Sequence, residues 1–242
     1  MLLRLPTSVS EARDCVAEGI VPIGGATLLW ATWQRDGFPE QAMSLRELPE
    51  ANVIGRETLG AAVVLHRIDD RVPEVLRAAA ATIGTGAVRR TASVGGNLVG
   101  SSLRCLLPAA LVLRSRATVL DADGVQETGL TEAMEAKGSV LLSLRWNAPA
   151  ASAYRKLPGD AGGPPPLVVA SALHTDGAGH HQLHVAVRDG YDVRDADADC
   201  GARAATTLDA LRAAAAFGDL PAEAWDLVHE QTTRLLGDAG LA

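Results

Sequence analysis

Apolar and polar positions change period several times along this chain, and each change predicts an element. Ser8-Val9-Ser10-Glu11 sets a hydroxyl three residues ahead of a carboxylate, the pattern of a capping box, and predicts a short helix over residues 9–18 stopped by Gly19. Residues 20–23 predict a short strand, Gly24-Gly25-Ala26 a turn, and residues 27–34 a helix. Weak alternation over 53–56 and 59–64 predicts a hairpin around Glu57-Thr58. The alanine-rich segment 73–82 predicts a helix, with Asp69 or Asp70 near its start and Gly84-Thr85-Gly86 at its end. A polar, glycine-rich stretch over 89–102 then leads into an apolar run at 106–113 that reads as a buried helix. Residues 118–121, an Asp123-Gly124 turn and residues 140–145 continue a β region.

The composition shifts at Asn147-Ala148-Pro149-Ala150-Ala151, which marks a domain boundary between an N-terminal part, 1–148, and a C-terminal part, 151–242. Beyond it, residues 154–157 predict a strand and 158–166 a proline- and glycine-rich loop. Residues 167–175 and 182–187 flank an Asp176-Gly177 turn and predict a hairpin. Helices over 202–216 and 222–236 close the chain. No internal repeat is evident. Helices and strands follow one another without a βαβ rhythm, so the fold class is α+β.

Composition narrows the function classes. The chain has 242 residues, 48% of them hydrophobic, which suits one or two domains with a real core. Only 3% are aromatic, so aliphatic side chains and alanine fill that core. The formal net charge of -7 argues against nucleic acid as a partner. No apolar run reaches the length of a membrane span, and residues 1–6 lack the apolar core of a signal peptide. Cys15, Cys105 and Cys200 are odd in number and widely spaced, which points to a reducing cytoplasm and leaves no cysteine run for an iron–sulfur cluster on this chain.

Two glycine-bearing loops carry the candidate chemistry. An elongated diphosphate needs backbone N–H donors brought close, with no side chain in the way. Glycine permits that approach and allows turns with φ > 0. Gly24-Gly25-Ala26-Thr27 supplies such a turn between a strand and a helix, whose dipole adds positive character. Ser93-Val94-Gly95-Gly96-Asn97 offers a hydroxyl, two glycines and an amide. Each loop alone reads more readily as a plain turn.

Together and in order, these segments resemble the flavoprotein (medium) subunits of molybdenum hydroxylases, the family of carbon monoxide dehydrogenase and xanthine dehydrogenase. The first loop resembles that family's A-G-G-T-D-L. The second, from Val88-Arg89-Arg90-Thr91-Ala92 through Ser93-Val94-Gly95-Gly96-Asn97-Leu98, resembles its I-R-N-x-A-T-I-G-G-N-L. Ser44-Leu45-Arg46-Glu47-Leu48 is similar to D-L-R-x-I, and Leu59-Gly60-Ala61 to I-G-A. Val140-Leu141-Leu142-Ser143-Leu144-Arg145 and Tyr154-Arg155-Lys156 are similar to landmarks near the start of its C-terminal domain.

The resemblance implies FAD as cofactor. It implies a PCMH-type FAD-binding domain of two α+β subdomains, about 1–50 and 51–148, followed by a C-terminal flavoprotein domain with a three-stranded sheet and helices. By the same resemblance Ile23, Gly24, Gly25, Ala26, Thr27 and Leu28 donate to the diphosphate, and Ser93, Gly96 and Asn97 complete the grip. Leu142 packs near the isoalloxazine, and Lys156 lies at its polar edge. Partners implied are iron–sulfur and molybdenum-cofactor subunits in a heteromeric complex, with an external electron acceptor. No side chain need act as acid or base, because the flavin carries the chemistry.

The chain also departs from the family pattern. The acidic residue nine positions after the asparagine is Leu106 here, and Ser102-Leu103 replaces an Asp-Pro or Ser-Pro pair. The loop at 158–166 replaces charged residues, and the chain ends ahead of the last family helix. These departures motivate two alternatives: a stand-alone FAD-dependent oxidase or dehydrogenase acting on a small organic substrate, and a non-enzymatic subunit that has lost FAD.

Other features have plainer readings. Gly84-Thr85-Gly86 follows a helix, not a strand, which argues against a Rossmann fingerprint. His174, His180, His181 and His184 read as a polar hairpin end, joined by no carboxylate or cysteine at ligand spacing. Asp192, Asp195, Asp197 and Asp199 read as a solvated loop. Trp30, Trp33 and Trp146 read either as packing residues or as cover for the flavin, and Cys105 reads as core.

Overall fold

A computed structural model describes residues 1–159, 163–201 and 203–241, so the expected loop at 158–166 lies partly outside the described residues. In chain order the first elements are β1 (Leu2–Arg4), α1 (Val9–Ala17), β2 (Val21–Ile23), α2 (Leu29–Asp36), β3 (Gln41–Ser44), β4 (Thr58–Gly60), α3 (Glu74–Ala81), α4 (Gly86–Arg89) and α5 (Val94–Leu98). There follow α6 (Leu107–Val112), β5 (Arg116–Leu120), β6 (Val125–Gly129), α7 (Leu130–Glu135), β7 (Val140–Arg145), β8 (Ala151–Lys156), β9 (Val168–Thr175), β10 (His181–Asp189), β11 (Asp192–Asp199), α8 (Ala204–Ala213) and α9 (Ala222–Asp238). The fold is α+β. It divides into two compact units, one of Met1–Val72, Ile83–Leu106 and Ser115–Trp146, the other of Pro73–Thr82, Leu107–Arg114 and Asn147–Ala242. The helices α3 and α6, which precede residue 148 in sequence, therefore belong to the second unit.

In the first unit, β1, β3 and β2 form a parallel sheet in that order. Ser8 caps α1: its hydroxyl accepts from Glu11 N at 3.3 Å, while the Glu11 carboxylate accepts from Thr7 N at 2.8 Å. The return bond thus reaches Thr7, one residue beyond the box expected from sequence. Ala12 and Cys15 of α1 pack with Met43, Leu48, Leu120 and Leu142 in one core cluster. Full burial of side chains of the size of Met43 or Leu48 contributes about 1.5–3 kcal/mol each. A second sheet, β4-β7-β5-β6, is antiparallel throughout, with a register shift at Thr118/Val119. The expected hairpin at 53–64 is reduced to β4 and a single bridge between Ile54 and Leu59. Trp146 is 5% exposed, and its indole N–H donates to the Arg56 carbonyl at 3.0 Å, which makes it a packing residue of this unit.

In the second unit, β11, β10, β9 and β8 form an antiparallel sheet of four strands, one more than the three implied by resemblance, because β8 pairs along β9 from Ala151 to Lys156. Odd-numbered positions of β9 and β10, among them Val169, Leu173, Leu183, Val185 and Val187, face a core closed by Leu208 and Leu211 of α8 and by Ala224, Leu227, Val228 and Leu235 of α9. Period 2 on the strands meets period 3.6 on the helices. Gln231 sits among these apolar groups at 4% exposure, accepting from Ser171 Oγ at 2.6 Å and donating to Val169 O at 3.1 Å. A buried amide with both ends bonded avoids a desolvation cost.

The acidic run is a strand, not a solvated loop. Asp195-Ala196-Asp197-Ala198-Asp199 alternates with period 2, so Ala196 and Ala198 pack toward the core while the aspartates share the other face. That face and the β9–β10 turn supply the carboxylates missing from the sequence reading of the histidines. His184 Nε2 lies 2.7 Å from Asp195 Oδ2, and His180 Nδ1 lies 3.1 Å from Asp176 Oδ2. His174 Nε2 instead meets Val112 O at 2.7 Å, and His181 Nδ1 meets Thr175 Oγ1 at 2.9 Å. The four histidines are spent on separate partners, and among the described residues no group of three or more His, Cys, Asp or Glu is arranged to hold a metal.

Candidate functional site

The first loop leaves β2 at Ile23 and reaches α2 within six residues. Ala26 holds φ at +53°, the left-handed region that a methyl-bearing residue avoids, and its carbonyl accepts from Trp30 N at 2.9 Å to start the helix. No side chain caps α2. The backbone N–H groups of Gly25, Ala26, Thr27 and Leu28 consequently have no acceptor among the described residues. Strain of this kind, of order 1–3 kcal/mol, persists where the surroundings over-determine the conformation, and it concentrates at binding sites.

The second loop is built differently. Its N–H groups are spent inside the protein: Val94 N on Val63 O at 2.9 Å, Gly95 N on Ala61 O at 2.8 Å, Gly96 N on Ser93 Oγ at 3.2 Å and Asn97 N on Ser93 O at 3.0 Å. The Asn97 side chain is 8% exposed, and its Oδ1 accepts from Leu106 N at 2.9 Å. Leu106 itself is fully buried, so the apolar residue at the family's acidic position is part of the core.

Glycine is required here for a reason other than positive φ. None of Gly24, Gly25, Gly95 and Gly96 is among the positive-φ residues. A Cβ on Gly24 would overlap Ser93 Oγ and stand 3.5 Å from Gly96 Cα. One on Gly25 would overlap the Thr91 carbonyl and stand 2.9 Å from Ala92 N. The two loops pack backbone against backbone, and the glycines are what lets them touch.

Where they meet, a cavity of about 450 Å3 opens, walled by Pro22, Ile23, Gly24, Gly25 and Ala26 on one side and by Thr91, Ser93, Gly95 and Gly96 on the other. Apolar walls come from Leu3, Leu29, Leu45, Val64, Val140 and Leu141. Arg46 and Arg90 are the charged residues of the lining, which has no carboxylate among the described residues. Arg46 is shared with Glu47 at 3.4 Å. For a protein of net charge -7 this is a locally positive recess.

The structure thus gathers Ile23, Gly24, Gly25, Ala26, Ser93 and Gly96 around one cavity. Thr27 and Leu28 are exposed at its rim end of the loop. Asn97 lies behind the second loop. Leu142 is 2% exposed and turned into the core, whereas Val140 and Leu141 line the cavity. Lys156 belongs to the second unit, where its ammonium donates to Thr82 O at 2.9 Å. Trp33 is buried, and Trp30 is half exposed with its ring edge-on to Phe38 at 5.2 Å. Sequence reasoning passed over Arg90, Thr91 and Ser139. A basic residue beside a glycine loop was the available signal for the first. These features fit a dinucleotide diphosphate: consecutive unspent N–H donors, two of them on residues that line the recess, and positive charge without a competing carboxylate in the lining.

The comparisons with known proteins follow the same lines. Residues 3–143 match the model of the FAD binding domain in molybdopterin dehydrogenase. No curated protein matches the chain. Among solved structures, the Cu,Mo-CO dehydrogenase in its cyanide-inactivated form superposes with a TM-score of 0.69 at 19% identity, covering 97% of this chain and 95% of the other. Quinoline 2-oxidoreductase from Pseudomonas putida 86 gives 0.67 at 18%, covering 97% and 93%. Carbon monoxide dehydrogenase from Hydrogenophaga pseudoflava, in a form lacking the Mo-pyranopterin moiety of the molybdenum cofactor, gives 0.68 at 17%, covering 97% and 95%. At these identities the likeness is one of fold. The family match spans more than half of the chain, and it agrees with the glycine loops: the chain belongs to the family of FAD-binding domains of molybdopterin dehydrogenases, and its cofactor is FAD.

Proposed function

We propose that this chain is the flavin-bearing subunit of a molybdenum hydroxylase-type oxidoreductase, passing electrons between a partner that carries iron–sulfur and molybdenum centres and an external acceptor. When bound, FAD supplies electron transfer at its isoalloxazine ring. The protein's own residues bind, orient and shield it. Gly25, Ala26, Thr27 and Leu28 present their N–H groups to the diphosphate, and Ile23 and Gly24 set the approach. Ser93, whose Oγ already accepts from Gly96 N, keeps its hydroxyl proton for the ligand. Gly96 lines the cavity wall beside Ser93, and Asn97 fixes the loop through Leu106. Val140 and Leu141, rather than Leu142, offer apolar contact to the flavin.

The observation that carries this reading is the run of four unspent N–H groups on the first loop, which packs against the second loop beside a cavity whose lining holds no carboxylate among the described residues. No protein acid or base is required by it. The partner is supported by the structural neighbours alone, which include two CO dehydrogenases described by their copper, molybdenum or molybdenum-cofactor content. The test is anaerobic reduction followed by flavin absorbance. Isolated protein should stay oxidised with small organic substrates and become reduced when its co-purified partner is supplied. Reduction of the isolated chain by a small substrate would overturn the subunit role in favour of a stand-alone oxidoreductase.

A further inference from the structure

Two arginines stand side by side at the entrance to the second loop, and they are used differently. The Arg89 guanidinium turns inward and donates to Ile83 O at 3.0 Å and Gly84 O at 2.8 Å, tying down the turn ahead of α4. Arg90, the next residue, is exposed, lines the cavity, and has neither a hydrogen bond nor an ion pair for its guanidinium among the described residues. It directly precedes Thr91, whose carbonyl is the atom Gly25 packs against. The other arginine of the lining, Arg46, has Glu47 beside it. The family motif has asparagine where this chain has Arg90.

We infer that Arg90 is the counter-cation of the bound diphosphate, so that this chain selects its flavin by phosphate charge as well as by ring. The inference rests on the diphosphate reading of the two loops. Backbone N–H groups supply direction but only partial charge, and a diphosphate brings two negative charges. A guanidinium offers a fork of donors matched to phosphate oxygens and stays charged at any working pH. Arg90 is the cation of this recess that no carboxylate neutralises, and its position beside Thr91 puts it on the loop that the cradle leans on. In a chain of net charge -7 it also provides the local attraction that an anionic ligand would otherwise lack.

The test uses the full-length protein stripped of flavin. FAD and riboflavin are titrated by flavin fluorescence and ADP by calorimetry, at low and at high salt. Arg90→Gln should weaken FAD and ADP by roughly tenfold or more while leaving riboflavin, which has no phosphate, unchanged. The loss should shrink as salt screens the wild-type attraction, and Arg90→Lys should restore most of the affinity. Arg46→Gln should have a smaller effect. Wild-type FAD affinity in Arg90→Gln, or an equal loss of riboflavin, would overturn the inference. Ala26→Asp reads the underlying cradle separately, by setting a carboxylate among the open N–H groups at a φ that aspartate tolerates. If Ala26→Asp abolishes FAD binding and Arg90→Gln does not alter it, only the role of Arg90 fails. If neither alters it, the diphosphate reading fails as well.

Discussion

The carbonyl of Thr91 occupies the place where a side chain on Gly25 would begin, so two loops some sixty-five residues apart in sequence are held as one body. Gly25→Ala must separate them. Overlap with backbone rather than with a movable side chain makes a cost of about 1–3 kcal/mol the expectation. The variant should melt lower by calorimetry and lose FAD affinity at temperatures where it is still folded. Unchanged melting together with unchanged affinity would show that the loops can part freely.

Asn97 predicts a different balance. Its Oδ1 satisfies the buried N–H of Leu106, so Asn97→Ala leaves that donor unpaired at about 1–3 kcal/mol. Chemical denaturation should register the loss. FAD affinity, measured on folded protein, should fall less than in Gly25→Ala, since the asparagine stands behind the cavity.

Half-buried His174 gives a pH dependence. Burial, as the largest influence, holds its pKa below the ordinary 6.5, against the raising effect of its bond to Val112 O. A histidine depressed in the folded state binds fewer protons there than in the unfolded chain. Its contribution is therefore intact above 6.5 and is lost as pH falls through that value toward the folded pKa. His174→Gln should flatten the acid limb of the stability curve below 6.5, read by denaturation at several pH values. A steeper limb would reverse the sign.

Cys200 is the more accessible of the cysteines, yet burial and the neighbouring Asp199 raise its thiol to about 11. Because the thiolate is the reactive form, alkylation should be slow at pH 8 and quicken steeply toward alkaline pH. Cys200→Ser should remove that alkaline component in a mass-spectrometric time course.

Much of this was legible beforehand, and the exceptions share a cause. Local signals found the Ser8 cap, the β9–β10 hairpin around Asp176, and helix α9. The cofactor came from the resemblance of two glycine loops, in order, to a flavoprotein family. What local pattern could not give was the distant partner of each group. Gly24 and Gly25 looked like turn formers, but their φ values are ordinary and their need comes from Ser93 and Thr91. Asn97 carries a second role that local pattern did not show, accepting from the buried Leu106 N through its Oδ1. Leu142 sits in the core while its neighbour Leu141 lines the cavity, at the irregularity where Thr118 pairs with Ser143 and Val119 with Leu141, which no local pattern announces. The aspartates of β11 were weighed as charge when their alternation with Ala196 and Ala198 was the stronger sign. Their shared face against His184 emerges only when the strands pair.

Ala26 has a consequence for how quickly the site can be filled. A glycine at its φ of +53° would be unstrained, but it would also let the loop wander among many shapes before the ligand arrives. A methyl group biases the backbone away from that φ, so the packing of Gly24 against Ser93 and of Gly25 against Thr91 has to hold it. Under the proposed diphosphate reading, donors held in advance by that packing should let FAD bind without waiting for the backbone to rearrange, which stopped-flow flavin fluorescence would show as a single association phase.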